Sequence, residues 1–272
     1  MIPPAAPDTL SAMGESCGRY SRAFRQLKDA KATWLLVRIL LLSQAIPVVW
    51  DLFTPRTDKL LVAQYYLGLT EKAFLSGSYW QPFTYAFIHA NWFHVLANVA
   101  CILLLGSKIE HVVAKRTFWL LGLLSVLGGA SLFMLFTPAL PPAADAASQT
   151  LIGSSAICFG FLVLLTTLSP DSKFLPLFLS GRAIGLSIVF ANLALVLLNP
   201  DLPTGPFARW GTQLADSGFT GLFQISHACH LGGSLTGLLY GKYLLRPRIS
   251  LESLKRAREK RESEAKTAKA EV

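Results

Sequence analysis

The chain has 272 residues, of which 52% are hydrophobic and 15% charged. Soluble domains carry about 25% charged residues, so the composition argues against a soluble globular domain and for a polytopic membrane protein. The net charge of +9 gathers at the two ends. With no aromatic-interleaved basic surface beside it, that charge reads as anchorage on anionic lipid rather than nucleic-acid binding.

Residues 1–31 are polar, Pro-containing at the start and basic later, with Arg19, Arg22, Arg25, Lys28 and Lys31. They are expected to form a cytoplasmic arm. The start lacks the basic, apolar and small-residue order of a signal peptide, so the run Trp34 to Phe53 is predicted to stay as the first span. Arg38, near its inner end, can snorkel to the surface. Residues 54–82 hold Tyr65, Tyr66 and Trp80 and are expected to lie in the membrane interface. Phe83 to Gly106 is read as the second span, with His89, Asn91, His94 and Asn98 in its first half. Lys108, Lys115 and Arg116 mark a short inner loop at 108–116. Phe118 to Phe136 is the third span. Residues 137–150, with three prolines and no Lys or Arg, form an outer loop.

Gly153-Ser154-Ser155-Ala156 then leads into the fourth span, Ser155 to Leu168. At about 1.5 Å rise per residue this run covers about 21 Å, short of the roughly 30 Å hydrocarbon core. That shortfall sets Ser155 beneath the outer face. A loop with Lys173 and Arg182, a fifth span from Ile184 to Leu198, a Pro/Gly-rich outer loop at 199–222 and a sixth span from about Leu222 to Leu245 follow. The end is a charged tail. The fold class expected is an all-α membrane protein, a six-transmembrane-helix bundle spanning residues 32–246, with arm 1–31 and tail 247–272 both cytoplasmic by the positive-inside rule. Cys17, Cys101, Cys158 and Cys229 are scattered and suggest no disulfide framework.

In that orientation His94, Asn98, Ser155, His227 and His230 converge on one depth near the outer face. Polar side chains inside spans are costly and point to function. A serine needs a base to become a nucleophile, and His230 is the stronger candidate. Gly233 and Gly237 share its face and allow close helix approach, and Ala156 and Gly160 offer the matching surface. No acidic residue lies in the sixth span, so the expected unit is a Ser–His dyad rather than a triad. His94 and Asn98, at i and i+4, share a face and could join the Ser155 backbone N–H as donors to an oxyanion.

The plainer readings are these. Ser154 is a helix N-cap, His89 ties the first loop to the second span, and His227 lines the cavity or bonds a carbonyl. His111 is solvated, and Glu110 is a loop-fixing hydrogen-bond acceptor. A metal transporter or metalloprotease built on His89, His94, His227 and His230 lacks His-Glu-x-x-His and an intramembrane carboxylate. No metal or cofactor is therefore expected.

The chain resembles the rhomboid intramembrane serine proteases over roughly residues 34–245. The resemblance rests on His89-x4-His94-x3-Asn98, Gly106-x3-Glu110, Gly153-Ser154-Ser155-Ala156 and His230-x2-Gly233-x3-Gly237 in this order. It implies a six-helix bundle with a water-filled cavity open to the outside. It assigns nucleophile and base to Ser155 and His230, oxyanion assistance to His94 and Asn98, and support to His89, Gly153, Gly233 and Gly237. It implies cleavage of single-span membrane proteins at or near their transmembrane segments, in the lipid bilayer, and a multi-pass location, here taken as a bacterial cytoplasmic membrane. Three positions depart from the family pattern: Ala156 stands for the usual Gly, Gln81 follows Trp80 in place of Arg, and Phe159 replaces a tyrosine that stacks on the base. A catalytically silent relative that binds transmembrane clients is the alternative.

Overall fold

The computed structural model describes residues 25–53, 59–136, 150–174, 178–201, 207–247 and 251–270. Among these the architecture is all-α, apart from one two-residue β ribbon. Helix α1 is Lys31–Phe53. Its first turn is held by Glu110, whose carboxylate accepts from the N–H groups of Ala32 and Thr33, both at 2.9 Å, and from the Thr33 hydroxyl at 3.1 Å. Glu110 is thus the structural acceptor expected, but it caps a span rather than a loop.

The first loop is built from α2 (Lys59–Leu67), α3 (Glu71–Leu75), α4 (Gln81–Thr84) and a 3-10 turn at Tyr85–Phe87. Tyr65, Tyr66, Tyr79, Trp80 and Phe83 are exposed on it, a composition suited to the headgroup layer. Gln81 is buried and stitches the loop: its Oε1 accepts from the Thr70 N–H at 3.1 Å, beside a 2.9 Å bond from the Trp80 indole to the Tyr66 carbonyl.

The second span differs from expectation. Helix α5 is Trp92–Val112, not Phe83 to Gly106. Asn91 is its N-cap, accepting from the His94 N–H at 2.9 Å. An Asn side chain that satisfies an orphan N–H starts a helix at the next residue, so His89 falls in the extended stretch before it. Lys108 and His111 belong to the end of α5, and the inner loop shrinks to residues 113–114. The His111 ring is exposed, with Nδ1 2.7 Å from the Ser107 carbonyl.

Helix α6 is Lys115–Phe136 and α7 is Ser155–Leu168, the latter with the bounds expected. Strands β1 (Lys173–Phe174) and β2 (Leu179–Ser180) pair antiparallel ahead of α8 (Gly181–Leu197), which Ser180 caps. The loop after α8 contains α9 (Ala208–Leu214), a π turn at Ala215–Phe219 and a 3-10 turn at Thr220–Gln224. Helix α10 is His227–Leu244, starting five residues later than expected because Ser226 caps it. Helix α11 (Leu251–Ala270) is exposed along 252–263. Residues 1–24, with Cys17, and the loop 137–149 lie outside the described residues. Cys101, Cys158 and Cys229 are free thiols.

Helix α7 is the centre of the bundle, packed by α5, α6, α8 and α10. Among the described residues three helices, α1, α5 and α6, are long and apolar enough to cross a membrane. Helices α7 and α8 are apolar but shorter, at 14 and 17 residues. A helix wrapped by other helices meets protein along much of its surface, so it needs neither the length nor the uniform apolarity of a lipid-facing one. The chain is therefore a helical membrane protein with its short helix α7 enclosed by the others, while α8 is buried along one side only and leaves Leu186 and Phe190 exposed.

Candidate active site

The start of α7 is held from three sides. Leu151 exchanges both backbone hydrogen bonds with Leu69, each at 2.9 Å, and the Gly153 N–H donates to the Tyr85 carbonyl at 2.9 Å. Gly153 has φ +107°, a left-handed conformation that a side chain strains. Ser154 occupies the N-cap position without capping. Its N–H donates to His89 Nε2 at 3.3 Å, and its hydroxyl lies 3.2 Å from the same nitrogen. Two expectations change here. Ser154 is a tether rather than a cap, and His89 ties the first loop to the start of α7 rather than to the second span. His89 is itself held by Gln44 and Gln64, which meet its N–H at 3.3 Å and its carbonyl at 3.1 Å.

One residue further, Ser155 Oγ lies 2.9 Å from His230 Nε2. The two residues sit on different helices, and glycines set the spacing between them. A Cβ on Gly233 would run into the Ala156 backbone, and one on Gly237 into the Gly160 backbone. The helices thus touch main chain to main chain, as the Ala156/Gly160 and Gly233/Gly237 pattern anticipates. Ala156 is fully buried in this seam, so its extra methyl is accommodated. His230 lies in the first turn of α10, not two turns in. Phe159 stacks on its ring at 4.3 Å with a 24° interplanar angle, which keeps the platform without the hydroxyl.

His94 and Asn98 share the face of α5 that meets this corner. The His94 ring lies against Gly153, since a Cβ there would stand 2.7 Å from both its Cε1 and its Nε2. His89 and His94 meet edge to face at 5.0 Å. Asn98 is buried one turn deeper, its Nδ2 donating to the His94 carbonyl at 3.1 Å. His227 bonds a carbonyl, as expected, with Nε2 2.6 Å from Leu222 O, and its Nδ1 lies 3.1 Å from Asn192 Oδ1. Asn192 was not singled out from the sequence, although a buried Asn in an apolar run was signal enough. Among the described residues, no group of three or more His, Cys, Asp or Glu is arranged to hold a metal ion.

Chemically, an imidazole nitrogen faces a hydroxyl at the N-terminus of a buried helix, where backbone N–H groups and the helix dipole favour negative charge. The fold and this corner define a class: helical membrane proteins with a serine and a histidine joined across a glycine-packed seam. The family comparison agrees, because the Rhomboid domain model matches residues 76–247. The chain belongs to the rhomboid family. It is 31% identical over 159 residues to Rhomboid protein 1, mitochondrial, of Saccharomyces cerevisiae, covering 58% of this chain and 40% of that protein. It is 26% identical over 170 residues to RHOMBOID-like protein 1 of Arabidopsis thaliana, covering 62% and 35%. Against Rhomboid-related protein 1 of Caenorhabditis elegans it is 26% identical over 174 residues, covering 63% and 41%. The chain thus spans about two fifths or less of the length of these curated relatives.

Proposed function

We propose that the chain is an intramembrane serine endopeptidase that hydrolyses peptide bonds in or beside the transmembrane segments of single-span proteins. The observation that carries this reading is the 2.9 Å contact between Ser155 Oγ and His230 Nε2. His230 takes the Ser155 proton as the oxygen attacks the substrate carbonyl. The oxyanion is met by the Ser155 N–H, His94 and Asn98. His230 then passes its proton to the leaving amine, and water repeats the sequence on the acyl-enzyme. His89 and Gly153 support the donors, while Gly233 and Gly237 set the distance between the helices.

The same reading takes α1, α5, α6, α7, α8 and α10 as six crossing helices within residues 32–246, with arm 1–31 and tail 247–272 on the cytoplasmic side. The membrane is taken here as a bacterial cytoplasmic one, whereas one relative carries a mitochondrial name. Fractionation of the native source would decide the compartment. The alternative is a silent rhomboid-like binder of transmembrane clients, and retention of both Ser155 and His230 argues against it. Co-expression with a tagged library of single-span proteins tests the choice. Fragments present with wild type and missing with Ser155→Ala are expected, and clients that are captured intact by both would favour the binder.

A further inference from the structure

Cys158 is one turn past Ser155 on α7 and faces α5. Its Sγ lies 3.4 Å from Asn98 Oδ1 and 3.7 Å from the Asn98 carbonyl, and both side chains are buried. Both partners are carbonyl oxygens, so the thiol is the donor. The other end of the Asn98 amide donates to the His94 carbonyl at 3.1 Å. The amide is therefore gripped at Oδ1 by a thiol and at Nδ2 by a carbonyl, with one Nδ2 proton left to give. Turning it over would set Oδ1 against the His94 carbonyl and the NH2 group against the S–H.

We propose that Cys158 is a positioning residue for the reaction, fixing the Asn98 amide so that its second Nδ2 proton points to the developing oxyanion. The proposal rests on the reading of Asn98 as an oxyanion donor. The plainer role for a buried cysteine is that of a small hydrophobe filling a gap. The two roles separate by substitution, because Val keeps bulk without a donor and Ser keeps a donor with less bulk.

The test is steady-state hydrolysis of a fluorogenic transmembrane peptide in proteoliposomes, with thermal unfolding of each variant alongside. Cys158→Val and Cys158→Ala are expected to lower kcat about fivefold, the worth of one net hydrogen bond, with KM unchanged. Cys158→Ser is expected to restore turnover. On the Asn98→Ala background Cys158→Val should add no further loss. The Cys158 S–H stretch, isolated as the infrared difference from Cys158→Ser, should move to higher frequency when Asn98 is removed. The proposal is overturned if Asn98→Ala lowers kcat while Cys158→Val keeps the wild-type value. It is also overturned if Ser and Val lose equally, or if the Val loss recurs in full without Asn98. Wild-type kcat in Asn98→Ala would instead remove Asn98 from the oxyanion role and take this proposal with it. Hydrolysis that survives Ser155→Ala, or is absent from the wild type, would overturn the protease reading itself.

Discussion

Substituting Gly233 by alanine probes the seam that brings Ser155 and His230 together. A Cβ at Gly233 would overlap the Ala156 carbonyl oxygen and stand 2.9 Å from both the Ala156 C and Cα. These are main-chain atoms, so no rotamer change relieves the crowding. Carbon contacts settle at about 3.5–4.0 Å, which requires α10 to retreat by about 1 Å. The Ser155–His230 contact is 2.9 Å. A further 1 Å or so takes it outside hydrogen-bond range. A misplacement of about 1 Å at reacting groups costs roughly 10²-fold in rate, and overpacking costs roughly 1–3 kcal/mol of stability. The assay is peptide turnover in proteoliposomes with a melting curve for each sample. Gly122→Ala is the matched control, because a Cβ there meets nothing within 4 Å. It should keep full activity. Gly233→Ala that folds, melts lower and still turns over like wild type would refute the claim that helix spacing sets the dyad.

Other outcomes follow from the same geometry. Gly153→Ala adds strain of roughly 1–3 kcal/mol at a positive φ and drives a methyl against the His94 ring. Turnover should fall about 10²-fold if His94 is a donor to the oxyanion, with only a modest drop in melting temperature. Glu110→Ala leaves the N–H groups of Ala32 and Thr33 uncapped. A loss of about 2 kcal/mol is expected in a detergent melt, while turnover per folded molecule stays at the wild-type level. Activity should be lost toward acid, because a protonated His230 has no lone pair for the Ser155 proton. A rate that keeps its full value at every acidic pH at which the protein stays folded would contradict the role of His230 as base.

Much of the site was legible because its chemistry depends on residue types at helical spacing. Ser155 at the start of a short apolar run, and small residues at Ala156/Gly160 and Gly233/Gly237, implied the seam that the structure contains. The bounds of α7 came from composition alone, since an apolar run follows a Gly-led polar turn. The second and sixth helices were harder to read. His89 and His94 look like parts of one span until Asn91 is recognised as a cap, and Ser226 plays the same part for α10. Capping reads as a start signal only when the polar residue is not first taken for part of the span. Apart from the Ser155–His230 contact, the tertiary bonds of the site escaped. Ser154 carries a normal capping sequence, yet a histidine 65 residues away claims its hydroxyl. The thiol on Asn98 joins residues 60 apart. No local pattern encodes such pairs.

An activity-based probe addresses the nucleophile itself. Purified protein in liposomes is treated with a fluorophosphonate and digested, and the adduct is located by mass spectrometry. Adduct on Ser155 in the wild type, absent in Ser155→Ala and strongly slowed in His230→Ala, is the expected result. A folded wild type that takes no label, or that labels equally well without His230, would contradict the assignment of these two residues as nucleophile and base.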